Sequence, residues 1–108
     1  MTLSGTNISL IRGDTETLTV KCSVPFAAGD TVTMTVKESV DSEQPALQEI
    51  VESFGAQGEA TIIIAHEDTE WLELGSYVYD IQVTRADGTV KTLVPKSGFR
   101  LEEDVTRG

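Results

Sequence analysis

The sequence predicts an all-β fold, an antiparallel sandwich of about seven short strands joined by Greek-key connections. Three observations predict it. Apolar and polar residues alternate at a period of two along most of the chain, as in Thr31-Val32-Thr33-Met34-Thr35-Val36-Lys37, and that period belongs to half-buried strands. Clusters of turn-forming residues separate the alternating runs at the spacing of a sandwich. The 108 residues, 39% of them apolar, fill one two-layer core and leave little for a second unit, so residues 1–108 read as a single domain.

Each element has its own justification. Ile8 and Leu10 open a short first strand. In the second, Leu18, Val20, Cys22 and Val24 face one way while Thr17, Thr19, Lys21 and Ser23 face the other. Pro25 ends that strand, because proline cannot donate to the ladder. Ala28-Gly29-Asp30 turns the chain into the third strand, with Val32, Met34 and Val36 inward and β-branched threonines on the solvated pleat. Residues 39–46 read as an exposed loop. Leu47 to Phe54 fits a fourth strand or a short helix, since Leu47, Ile50, Val51 and Phe54 also keep helical spacing. The Val-Glu-Ser-Phe ending and the Gly55-Ala56-Gln57-Gly58 turn favour the strand.

Ala60, Ile62 and Ile64 mark the fifth strand, and residues 66–73 hold a helical turn with Asp68 or Thr69 as its cap. Tyr77, Tyr79, Ile81 and Val83 make the inner face of the sixth. Asp87-Gly88 between alternating runs signals a hairpin, because both residues tolerate positive φ. Val90, Thr92 and Val94 return as the seventh strand, interrupted at Pro95 and resumed at Phe99-Arg100-Leu101. Pro95 and Gly98 within one strand predict an edge position or a bulge.

The run from Glu67 to Ile81 refines the class. An acidic turn enters Gly75, and Tyr77 stands two residues before Tyr79. Immunoglobulin-like sandwiches enter strand F in this way, with a tyrosine two positions before the inward site that holds the second cysteine of antibody domains. Tyr79 occupies that site here. The expected fold is therefore an immunoglobulin-like antiparallel β-sandwich, with the Tyr77 hydroxyl bonded to backbone a few residues upstream.

Charge narrows the partners. Eighteen acidic side chains against 8 basic ones give a formal net charge of −10. Nucleic acid and anionic lipid would be repelled, because their binding proteins gain affinity by placing Lys and Arg on phosphates. No run approaches the roughly 18 to 20 apolar residues of a membrane helix, and the first seven residues show no secretory signal. One cysteine, Cys22, cannot close an intrachain disulfide. Its phase with Leu18 and Val20 makes it a small buried hydrophobe, not a nucleophile. The chain reads as a product of a reducing cytoplasm.

Chemical motifs are sparse. Arg12-Gly13-Asp14 spells an integrin-binding tripeptide, but glycine and aspartate suit a tight turn there. Asn7-Ile8-Ser9 matches a glycosylation acceptor and carries no weight without a secretory signal. His66, Glu67 and Asp68 are adjacent, and no second histidine exists to complete a zinc site. Glu102-Glu103-Asp104 lacks the spaced oxygen ligands of a calcium loop. There is no nucleophile elbow and no phosphate loop, so the expectation is no enzyme, no cofactor and no metal. Trp71 either stacks on a sugar ring, anchors a protein interface, or plugs one end of the sandwich with Leu72 and Leu74. The plug is the preferred reading.

Two segments together resemble a known family. Ile8-Ser9-Leu10-Ile11-Arg12-Gly13-Asp14-Thr15-Glu16-Thr17-Leu18 is similar to the opening of the amino-terminal domain of phage upper baseplate proteins and related prophage tail-associated proteins. Asp68-Thr69, Leu74 to Ile81, Gly88, Gly98-Phe99-Arg100-Leu101 and Asp104-Val105-Thr106 follow the same pattern. The resemblance implies a virion or prophage structural module, without catalysis, that docks onto other tail or baseplate proteins. Family members continue past the Asp-Val-Thr stretch, whereas this chain stops at Gly108. The alternative is a carbohydrate- or host-surface-binding module using Trp71, Tyr77 or Tyr79 as a platform. Open edge strands invite pairing, while Pro95 and Gly98 shield one edge and the negative charge opposes self-association. The expected state in isolation is a monomer or weak homo-oligomer.

Overall fold

Alternating side chains close into two facing sheets in the computed structural model, which describes residues 7–103. Seven strands run β1 (Ile8–Ile11), β2 (Glu16–Val20), β3 (Thr31–Lys37), β4 (Leu47–Val51), β5 (Ala60–Ile64), β6 (Gly75–Thr84) and β7 (Val90–Glu102), with one helical turn, α1 (His66–Thr69), between β5 and β6. One sheet has the order β1-β7-β6-β3-β4, and the other pairs β2 with β5. The fold is an immunoglobulin-like β-sandwich. The fourth element is a strand, antiparallel to β3 with Val36 opposite Leu47. One pairing departs from the antiparallel expectation: β1 lies parallel to β7, with Ile8 opposite Phe99 and Ile11 opposite Glu102.

The core lies between the sheets, and the residues expected in it are nearly all there. Leu18, Val20, Val32, Met34, Val36, Ile62, Ile64, Tyr77, Tyr79, Ile81 and Val83 are buried, joined by Phe26, Leu47, Val94, Phe99 and Leu101. Phe99 meets the edges of both Tyr77 and Tyr79, with ring centroids 6.3 and 6.2 Å away. Edge-to-face pairs of this kind add to plain area burial.

The second strand is shorter than its alternation implied. It stops at Val20, Cys22 is only part-buried, and Val24 is exposed. The cause is competition for the backbone beyond Val20. Arg85 takes the carbonyls of Val24 and Pro25 at 2.9 and 3.3 Å, and the Phe26 amide donates to Gly58 O at 2.9 Å. The chain is thereby drawn across the end of the sandwich, where Phe26 fills the core against Phe54 at 5.2 Å between centroids.

Two expectations about the last hairpin also change. Only Gly88 of the turn has positive φ (+91°), and its amide donates to Arg85 O while the Arg85 amide donates to Thr89 O. That is the three-residue loop with a terminal glycine bulge, not the two-residue mirror-image turn. Strand β7 is continuous from Val90 to Glu102 and sits between β1 and β6, so it is no outer edge. The bulge reading holds: the β6–β7 register shifts around Tyr79, Ile81 and Gln82, opposite Thr92 to Ser97. That irregularity accommodates Pro95 inside a strand. Gly98 donates its amide to Asn7 Oδ1 at 2.8 Å. The outer strands are β1 and β4 in the large sheet and both members of the small one.

Candidate functional site at the acidic end of the sandwich

Strands β1, β3, β5 and β7 finish at one end, where β2, β4 and β6 begin. The connections there carry Asp14, Glu38, Asp41, Glu43, Glu67, Asp68, Glu70, Glu73 and Glu103. Out of this acidic end projects Trp71, 85% exposed. The plug reading is therefore overturned. Thr69, 1% exposed, and part-buried Leu72 take the inward positions of the crossover. The two residues between them on the winding chain, Glu70 and Trp71, point to solvent.

The crossover that carries Trp71 is tied down by three hydrogen bonds, two from the β1–β2 turn and one from β6. Thr69 Oγ1 accepts the Gly13 amide at 2.8 Å, and Arg12 Nη1 donates to Leu72 O at 3.3 Å. The Tyr77 hydroxyl donates to Glu73 O at 2.7 Å, the expected tyrosine corner. The turn is closed at its start by Asp68, whose Oδ2 accepts the Ala65 amide at 2.8 Å. Asp68 thus caps from the third helical position, and Thr69 lies inside the turn and is not the cap. Exposed His66 pairs with Glu70 at 3.0 Å. The backbone under Trp71 is fixed while its ring is free.

The Arg12-Gly13-Asp14 tripeptide is a structural turn. Gly13 is buried at φ +87°, and the Asp14 amide closes onto Ile11 O at 3.1 Å. Asn7 holds Gly98, and Glu102 lies at the end of β7, 3.6 Å from Arg100. Asp104 lies outside the described residues, as do Val105 and Thr106. Among the described residues, no three His, Cys, Asp or Glu side chains converge as a metal site would need. Tyr77 and Tyr79, proposed with Trp71 as a stacking platform, are 7% and 2% exposed and cannot stack on a ligand. Period two already placed both on the inward face.

Two carboxylates depart from ordinary behaviour. Glu49, opposite Met34, faces inward on β4. Burial, followed by the charge and hydrogen bond of Asp68, raises its pKa to about 7. At the far end, Asp30 is held below the usual carboxylate range by the Ala27 amide, by Arg85, and by the Ala86 amide. Arg85 Nη1 lies 2.9 Å from Asp30 Oδ2, and the guanidinium stands 5.4 Å from the Phe26 ring centroid. Its Nη2 also approaches Cys22 Sγ at 3.7 Å. Burial raises the Cys22 pKa, but the Val24 backbone, the Lys91 and Arg85 charges and the Ser23 backbone outweigh it, leaving a net lowering. Cys22 is thus not the core-buried residue its phase implied. The pairing of Asp30 with Arg85 joins residues 55 apart and left no local signal.

The outer face of the large sheet holds an open depression of about 330 Å³, lined among others by Thr35, Lys37, Val40, Val78, Asp80 and Lys96. Val40, 57% exposed, stands on the 38–46 loop. Two of the chain's few cations thus share one spot with two apolar side chains.

No protein-family model matches the sequence, and no curated protein matches it. Among solved structures, the chain is similar to the extracellular domains of the voltage-gated sodium channel beta4 subunit, described as parallel homodimers with a role in cell–cell adhesion. The likeness has 11% sequence identity and a TM-score of 0.48, over 95% of this chain and 96% of that one. No helix among the described residues is long and apolar enough to cross a membrane.

Proposed function

We propose that the chain is a phage or prophage virion structural protein, a non-catalytic docking module of a tail or baseplate assembly, made in the bacterial cytoplasm. The observation that carries this reading is Trp71, an exposed indole on a fixed backbone. An anchor held in place before binding loses little freedom on docking, and tryptophan is prominent among residues that dominate interface energies. The carboxylates around it set the chemistry of the neighbour, which must present a basic rim for steering and register. The similarity of Ile8–Leu18 and of the Asp68–Leu101 segments to upper baseplate proteins supplies the kind of assembly.

The test is incorporation. Tail-like particles would be prepared from cells expressing the wild-type chain or Trp71→Ala, and the chain followed through sedimentation. Wild type should sediment with particles and Trp71→Ala should stay behind in the supernatant. A wild-type chain that never enters a particle would overturn the reading.

A further inference from the structure

We propose that the partner of the Trp71 end is a second copy of this chain: Trp71 of one copy enters the depression on the outer sheet face of the next. The inference deepens the docking reading above and rests on it. Two features of one surface carry it. The knob is an indole amid Glu67, Glu70 and Glu73. The hole has about 330 Å³ of room, Val40 and Val78 as apolar walls, and Lys37 and Lys96 at its margin.

Charge decides between occupants. The molecule carries −10 overall, so most of its surface repels a like copy. The depression is different, with two lysines against the single carboxylate Asp80. Among the described residues neither lysine is in an ion pair, whereas Arg12, Arg85 and Arg100 are engaged elsewhere. Seating the knob there brings Glu67 and Glu73, with Glu70 already paired to His66, toward two free ammonium groups. It also covers an indole face with cation-bearing side chains, an attraction that strengthens on desolvation. One chain cannot satisfy itself, because the knob sits on the β5–β6 crossover at the sandwich end and the hole on the outward face of β3 and β6.

The geometry has a consequence for assembly. Knob and hole are different patches, so the contact is heterologous. Every pair leaves one free knob and one free hole, which leads to rings or open rows and not to a closed two-fold dimer. A small contact opposed by net charge is weak alone, and a particle that aligns many copies makes it effective.

Sedimentation velocity over a wide concentration range tests this. Wild type should associate progressively with concentration. Trp71→Ala should weaken association about 30-fold or more, as loss of a central aromatic anchor does. The double variant Lys37→Glu/Lys96→Glu should be monomeric too. The diagnostic step is to mix the two variants: Trp71→Ala keeps only a sound hole and the lysine variant only a sound knob, so the mixture should form a capped 1:1 pair that neither variant forms alone. Far-ultraviolet circular dichroism confirms that both variants fold. A concentration-independent wild-type monomer, unchanged association of Trp71→Ala, or no pair in the mixture would each overturn the proposal. Normal incorporation of wild type into particles together with any of these results would leave the docking reading standing with a different partner.

Discussion

Tyr77 shows how one atom fixes a crossover. Its hydroxyl donates to Glu73 O at 2.7 Å from a ring that is 7% exposed. Tyr77→Phe keeps the ring and deletes this bond, so chemical denaturation should show a loss of about 0.5–1.5 kcal/mol. Cys22 makes the opposite point. Its phase with Leu18 and Val20 promised a core thiol, yet the strand ends two residues earlier and the sulfur lies beside Arg85. A part-buried thiol with a lowered pKa should react with a bulky disulfide reagent in the native state, well before unfolding. Protection until global unfolding would contradict this placement. Trp71 belongs with these two. Its ring touches too little for Trp71→Ala to move stability by more than about 0.5 kcal/mol.

Strand β4 carries an inward carboxyl, Glu49, and its titration has a definite sign. Folded Glu49 keeps its proton up to about pH 7, whereas the unfolded chain releases it near the usual 4.5. The folded state therefore binds more protons between these values, and stability falls as pH rises through that window. Met34 lies opposite on β3 and Ile62 and Ile64 face in from β5, so Asp68 of α1 is the titratable group that meets it. Asp30 and Asp87 have the opposite sign: their depressed pKa values contribute stability above the usual 3.8, and it is lost as pH falls below that. Thermal unfolding across pH should peak in the mildly acidic range. Glu49→Gln should flatten the limb between pH 5 and 7 and stabilise at pH 8 by about 1 kcal/mol or more. An unchanged limb would assign the slope to the overall charge instead.

Elements with strict alternation were legible because their inward residues are set by the pleat alone. Val32, Met34 and Val36, Ile62 and Ile64, and Tyr77 to Val83 all fell where period two put them. What alternation could not show was where a strand gives way to a competing partner. Val24 is drawn out by Arg85, and Phe26 enters the core from a loop. Both depend on distant residues, Arg85 for Val24, and Gly58 and Phe54 for Phe26. The candidate site was legible only as residue types, since exposure of Trp71 follows from Thr69 and Leu72 winning the inward positions.

At the scale of the whole molecule, charge is distributed unevenly. The strand-terminal loops around Trp71 gather acid, and the far end neutralises its one buried aspartate with Arg85. The sandwich therefore has a polarity that net charge alone does not express, and added salt screens both the repulsion between copies and the attraction at the lysines.

The parallel pairing of β1 with β7 also decides how the domain bears a load. Tension entering through the backbone before β1 and leaving after β7 drags these two strands in opposite directions along their common axis. The pairs Ile8–Phe99, Ser9–Arg100, Leu10–Leu101 and Ile11–Glu102 are then sheared together, and none can be unzipped ahead of the rest. Leu10, 5% exposed, pins the short strand to the core, so single-molecule pulling should find Leu10→Ala rupturing at clearly lower force than wild type. Equal rupture forces would place the mechanical barrier in another strand pair.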